Sequence, residues 1–210
     1  MTRRITLILW ALAVVLPTLA QFNPRRTRYN HNDTERYYGL RLGLNIASIS
    51  SDDITEDATS RTGLNVGGVF GLQLANNTPL WLETGLFYSE KGGKSTYRDA
   101  EIRYRMSYLQ APVVVKYLFD VYDNLYVQPY LGGYLALGIA GRTKEYATRE
   151  SYDTYNGFNR FDGGLRIGCG VEYQMVYAEL GYDFGLANVS KSDFTSTHTR
   201  ALFLNVGVNF

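Results

Sequence analysis

The sequence carries one cysteine, Cys169, in 210 residues. An internal disulfide is therefore impossible, which excludes a small stapled scaffold. It has two histidines, His31 and His198, far apart in the chain. With the lone thiol they offer no spacing that would hold a transition metal. No metal and no cofactor is expected. Charge of one sign is also missing: 21 Lys and Arg stand against 20 Asp and Glu, a net +1. Composition thus gives no case for a nucleic-acid partner. Long apolar runs are scarce too. Beyond "ITLILWALAVVLPTLA" (5–20), no stretch is apolar enough to cross a membrane as a helix.

That run follows a cationic "MTRR" and ends in the small residues Thr18-Leu19-Ala20. Residues 1–20 read as a signal peptide cut after Ala20. Residue 21 is Gln, not Cys, so no lipoprotein anchor is indicated. Residues 21–36, "QFNPRRTRYNHNDTER", are polar, basic and aperiodic, and read as a flexible periplasmic lead-in. The rest, 37–210, is the length of one domain.

What the chain does have is glycine (21) and tyrosine (18) against only five prolines. In an exported chain that mixture favours β structure. Period-two alternation predicts strands over 37–47, 63–75, 79–91, 103–118, 125–140, 161–174, 176–187 and 198–210. Their connections alternate in length. Short ones fall at 76–78, 120–124 and 174–176, and long polar ones at 48–61, 92–101, 141–160 and 188–197. Short turns at one end and long loops at the other predict an eight-stranded antiparallel up-and-down transmembrane β-barrel. An even strand number puts both termini at the short-turn, periplasmic end.

Alternation does not by itself say which face is out. One face is large and apolar, from Leu40, Leu42, Leu44 and Ile46 through Leu131, Leu135 and Leu137 to Leu202–Phe210. An eight-stranded barrel has an interior just wide enough for side chains, and this set would overfill it. The other face alternates glycine with Arg41, Glu83, Lys116, Arg166, Glu172, Glu179 and Asp183. Glycine gains nothing on a solvated face but makes room in a crowded lumen. The apolar face is therefore expected to meet lipid. Two outward aromatic bands agree with this: Tyr38, Tyr117, Tyr173 and Phe210 at one end, Tyr88, Phe161, Tyr182 and Phe184 at the other. The same logic explains an apolar C-terminal strand, "TRALFLNVGVNF". It must close the barrel against the first strand, so Phe210 is the expected closure and assembly residue.

Several stretches, "YYGLRLGLNIA", "LWLETGLFYSEKGGK", "YLQAPVVVKYLF", "VQPYLGGYLALGI" and "NVGVNF", resemble the PorT-like small outer-membrane β-barrel family of Bacteroidetes-type bacteria. The resemblance covers 37–210. It implies an outer-membrane location, and a terminal aromatic resembles the signal read by the barrel assembly machinery.

The inward charges are the candidate site. Glu172 and Glu179 are expected to face each other across a tight hairpin, where two carboxylates repel unless a cation sits between them. Lys116, Arg41 and Arg166 share their face, Asp183 joins it, and Glu83 lies near the periplasmic end. Near-balanced signs favour a structural ion network that plugs the lumen over a proton or solute path. Ser190, Ser192, Asp193 and His198 gather in one outer segment, but polar loop residues often do, and no enzyme activity is expected. "SSDDITED" (50–57) lacks EF-hand spacing and reads as a solvated acidic loop. The expected function is a non-enzymatic monomeric envelope barrel, structural or accessory. Its contacts would be outer-membrane lipid and a protein partner met through loops 48–61 and 141–160. The alternative is a passive small-solute porin or transport-associated barrel.

Overall fold

A computed structural model describes residues 35–51, 59–75, 78–97, 100–145, 151–152, 159–189 and 197–210. The expected signal peptide, the lead-in up to residue 34, the acidic stretch from Asp52 and the Ser190–Asp193 group lie outside them. The elements are β1 (Arg36–Ser51), β2 (Thr59–Gln73), β3 (Leu80–Tyr97), β4 (Ala100–Tyr117), β5 (Phe119–Tyr122), β6 (Leu125–Glu145), β7 (Ser151–Tyr152), β8 (Phe161–Tyr173), β9 (Val176–Gly185) and β10 (Thr197–Asn209). Eight of them are barrel staves. β5 continues β4 after Leu118 along the same partner, β6, and β7 is a two-residue addition to the upper part of β6.

All pairings are antiparallel and form one closed ring, in which β1 pairs the last strand β10 and β4 pairs β6. At the seam the Tyr38 N–H donates to Phe210 O (2.9 Å) and the Phe210 N–H to Tyr38 O (2.8 Å). A terminal strand bonded on its last residue has no edge to fray.

The register fixes the barrel's dimensions. One line of facing residues runs Ile46, Leu202, Tyr182, Ile167, Leu131, Val115, Leu82, Leu72 and back to β1 at Arg36. It returns ten residues from where it started. With a rise of about 3.3 Å per residue and about 4.8 Å between strands, eight strands and a shift of ten set a tilt of roughly 40° and a backbone radius of roughly 8 Å. Ten residues then span roughly 25 Å of barrel height, the thickness of the apolar band in outer-membrane barrels. Every residue of that line except Arg36 is apolar or aromatic.

The faces divide as alternation requires. Leu40, Leu42, Leu44, Leu131, Leu135, Leu204 and Phe210 are exposed, while Arg41, Asn45, Lys116, Asp183 and Asn205 are buried. In water this would be an inverted protein; with lipid outside it is the stable arrangement. Outward rings, exposed or half-buried, form tilted pairs at the two ends of the belt: Tyr38–Phe70 and Tyr117–Phe119 below, Tyr182–Phe184 above, with centroids 5.3, 4.4 and 4.4 Å apart.

Three connections differ from the sequence expectation. Of the expected 92–101 loop, residues 92–97 and 100–101 are strand, since β3 and β4 stay paired up to Tyr97↔Ala100. β6 likewise runs to Glu145, well into the expected 141–160 loop. Polarity marked these residues as loop, but a ladder above the membrane supplies the same backbone bonds in water. The expected 120–124 turn is mostly strand, and the reversal is confined to Asp123 and Asn124. Asn124 and Gln174 both take φ near +60° (62° and 57°), the left-handed region that a two-residue hairpin needs.

Candidate functional site

The lumen contains three layers of side chains. Near the middle of the strands the inward positions are glycine on six staves: Gly43, Gly67, Gly85, Gly132, Gly168 and Gly181. The space is taken by rings. A Cβ on Gly168 would run into the Tyr130 ring, and one on Gly181 into the Phe203 ring. Val114, Tyr130 and Phe203 pack as one buried cluster here. The sequence reading placed aromatics outside and missed this inner set, which also includes Tyr37, Trp81, Phe87, Tyr108, Tyr134 and Tyr177. Their parity was the available signal: Phe87 shares a face with Glu83 and Gly85, and Tyr177 with Glu179 and Gly181.

The outer layer joins Lys91, Asp162, Asp183 and Arg166, all buried. Arg166 grips Asp183 with two parallel bonds, Nε to Oδ1 at 2.7 Å and a terminal N–H to Oδ2 at 2.8 Å. Gln110 adds a third donor to Asp183 at 2.7 Å. Lys91 Nζ lies 3.2 Å from Asp162 and 3.9 Å from Asp183, above the Tyr134 ring (4.2 Å to its centroid). Thr199 donates to Asp162 at 2.7 Å. Charge-assisted bonds of this geometry are among the strongest in proteins. Lys91 and Asp162 were not among the expected site residues. They stand at the ends of the anticipated strands, where the polar face was read as running out.

The inner layer holds Arg41, Lys116, Glu83, Glu172 and Glu179, with Tyr37 and Tyr177. Two donors reach one oxygen of Glu83, Tyr37 OH at 2.5 Å and Lys116 Nζ at 2.8 Å, and an Arg41 nitrogen stands 3.7 Å away as an ion-pair partner. Lys116 also donates to Tyr177 OH (2.7 Å), which in turn donates to Glu179 (3.3 Å). The Arg41 guanidinium lies over the Tyr177 ring, 3.9 Å from its centroid, and donates to Val208 O across the seam at 3.2 Å. Glu179 also accepts from Asn205 (2.8 Å). Glu172 accepts from Gln128 (2.8 Å) and Asn209 (2.7 Å).

Of the expected residues, Arg41, Glu83, Lys116 and Glu179 come together in the inner layer, and Arg166 with Asp183 in the outer one. The expected Glu172–Glu179 confrontation is corrected. Glu172 faces Tyr177, and Glu179 faces Gly170. The turn is centred on Gln174 and Met175, half a repeat earlier than assumed, so the two carboxylates sit at different heights on amide donors. His198 makes no triad among the described residues; its Nδ1 lies 3.2 Å from Ala187 O. No group of three or more His, Cys, Asp or Glu among the described residues is arranged to hold a metal.

Ail, the attachment invasion locus protein of Yersinia pestis, is 13% identical, with 84% of this chain and 99% of that chain covered and a TM-score of 0.41. Neisserial surface protein A is 19% identical over 82% and 95%, with a TM-score of 0.47. Outer membrane protein W of E. coli is 14% identical over 86% and 100%, with a TM-score of 0.40. No curated protein matches the chain. A family model described as "Outer membrane protein beta-barrel domain" matches residues 20–191, and the chain belongs to that outer-membrane barrel family.

Proposed function

We propose that this is a non-enzymatic, monomeric barrel of the PorT-like group whose lumen is closed by its own side chains. It works as an envelope interaction or accessory protein through its outer loops. The observation that carries this reading is the filling of the lumen. Two charged layers, tied by bonds as short as 2.7 Å, enclose an aromatic layer seated on glycine. An eight-stranded wall has little spare width, so side chains alone suffice to shut it. The short turns at Asp123-Asn124 and Gln174-Met175 share their end with Phe210, which supports periplasmic termini. β1, β2 and β6 run on into the 48–61 and 141–160 segments, which supports these as the presented surface.

Two measurements test the reading. Proteoliposomes carrying the purified barrel are expected to swell in arabinose no faster than empty ones. Swelling graded by sugar size would replace this reading with a passive porin. Pull-down from envelope extracts is expected to yield one dominant protein partner, lost when residues 146–158 are replaced by a short Gly/Ser link. Retention of that partner by the replaced protein would remove the loop-mediated role.

A further inference from the structure

The seam between β1 and β10 joins the first and last strands, so no hairpin turn sets its register. β8 and β9 do have such a turn, at Gln174-Met175, and there like faces like: Gly168 stands opposite Gly181 and Arg166 opposite Asp183. At the seam the pattern differs. Its inward pairs Gly39↔Asn209, Arg41↔Gly207 and Gly43↔Asn205 each set a long polar side chain against a glycine. The long member alternates between the two strands.

The fit is close. A Cβ on Gly43 would run into Leu204 O and the Asn205 side chain, and one on Gly207 into Leu40 O. A Cβ on Gly39 would lie 2.5 Å from Asn209 Oδ1. Tyr38 and Phe210 exchange both backbone bonds, so the inward pairs beside them are the non-bonded kind, whose side chains approach most closely. With no side chain on Gly43 between them, Asn205 on β10 accepts from Asn65 on β2 at 3.0 Å. Its own amide donates to Glu179 on β9 at 2.8 Å. One residue thus ties both sides of the seam.

A slip of one residue would turn the apolar face inward, so the nearest competing registers are slips of two. Backbone bonding barely separates these, because an antiparallel ladder repeats every two residues. Side chains do. If Leu204 faced Leu42 instead of Leu44, Arg41 would meet Asn205 and Gly39 would meet Gly207. If it faced Ile46, Arg41 would meet Asn209 and Gly43 would meet Gly207. Either slip makes a crowded pair and a hole, and both destabilise. The shift of ten around the barrel would become eight or twelve. The backbone radius would change by roughly 0.7 Å, and every bond across the lumen would be reset.

We propose that this alternation is a register code: Arg41, Asn205 and Asn209, with the glycines opposite them, select the shift of ten when the last strand closes on the first. The code acts whatever the closed barrel does in the envelope.

The test uses the full chain carrying Cys169→Ser, which removes the native thiol from the lipid face. Leu204→Cys is combined in turn with Leu42→Cys, Leu44→Cys or Ile46→Cys, all at lipid-facing positions. Facing Cα atoms about 5.5 Å apart can form a disulfide on oxidation, and diagonal ones at about 7–8 Å cannot. The unaltered code should cross-link through 44/204 alone. Exchanging two residues of β10, by Asn205→Gly with Gly207→Asn, keeps the composition but matches β1 two residues out of register. There the new glycine faces Arg41 and the new asparagine faces Gly39, so the cross-link should move to 42/204. Asn205→Gly alone fits the two registers equally at these positions and should give both products. Faster gel migration before boiling verifies folding. A folded exchange variant that still cross-links only through 44/204 would overturn the proposal. If the exchange variant does not fold, Asn205→Gly decides, and 44/204 as its sole product would overturn it equally. So would 42/204 or 46/204 product from the unaltered code at a yield matching 44/204.

Discussion

The two charged layers of the lumen are built from the same residue types but differ in how completely they are matched. In the outer layer Lys91 and Arg166 face Asp162 and Asp183, two cations for two anions, with Arg166 and Asp183 in a bidentate grip. In the inner layer Arg41 and Lys116 share the company of Glu83, Glu172 and Glu179. Both cations point at Glu83, while Glu172 and Glu179 are held by amides and by Tyr177. Arg41 Nε and one terminal nitrogen have no hydrogen-bond partner. The outer layer is matched charge for charge, and its unused capacity lies in acceptors, Asp162 Oδ1 and Gln110 Oε1. The inner layer has donors in reserve. Complementary charge is thus not enough to rank two buried clusters, since unused hydrogen-bonding capacity decides how each tolerates loss.

The sharpest way to break this comparison is Asp183→Ala. It strands Arg166 and half-strands Lys91 in a buried layer, and should cost about 3–5 kcal/mol. Denaturant unfolding in lipid vesicles, followed by the fluorescence of buried Trp81, reads the loss. A cost near zero would mean that water reaches the layer freely. Next comes the layer between. Gly168→Val would drive methyl groups into the Tyr130 ring, which has charged layers on both sides to limit its retreat. Overpacking of this kind costs about 1–3 kcal/mol. A neutral result in the same unfolding experiment would show that the aromatic layer is loose.

Lys116→Met should cost less than Asp183→Ala, about 2 kcal/mol, because Tyr37 stays bonded to Glu83 and the spare donors of Arg41 lie close enough to move onto it. Adding Glu83→Gln should recover part of that loss, and the double-mutant cycle measures the coupling. Independent, additive losses would remove the claim that Lys116 and Glu83 act together. The smallest effect belongs to Glu172→Gln. It removes one negative charge from a layer with more carboxylates than cations, and its amide donors can still bond the remaining oxygen. Stability should change by no more than about 1 kcal/mol. A loss as large as that of Asp183→Ala would reverse the ranking of the two layers.

Much of the wall was legible in the sequence because its physics has a period of two. Leu40 to Ile46 and Leu202 to Phe210 alternate with glycine and polar residues, and no other arrangement buries neither set against the wrong medium. The strand limits were less legible at the outer end. Residues 92–101 look like a loop by polarity, yet 92–97 and 100–101 have their backbone bonds satisfied by strand pairing. Within the lumen, Arg41, Glu83, Lys116, Arg166 and Asp183 could be placed by parity alone. Their partners could not, because which inward residue meets which depends on the shift of ten around the barrel. That shift decides that Lys116 reaches Tyr177 on β9, and a turn centred on Gln174-Met175 decides that Glu172 misses Glu179. The inner aromatics were overlooked for a different reason. Aromatic residues were assigned to lipid by type, whereas Tyr130 and Phe203 are placed by the glycines opposite them.

The central claim is that the barrel's own side chains close its lumen, and planar-bilayer recording of the unmodified protein tests it most directly. With the wild-type chain inserted, current should stay at the level of the bare membrane, with no large steady conductance. Stable porin-like conductance from the wild-type protein would contradict the account.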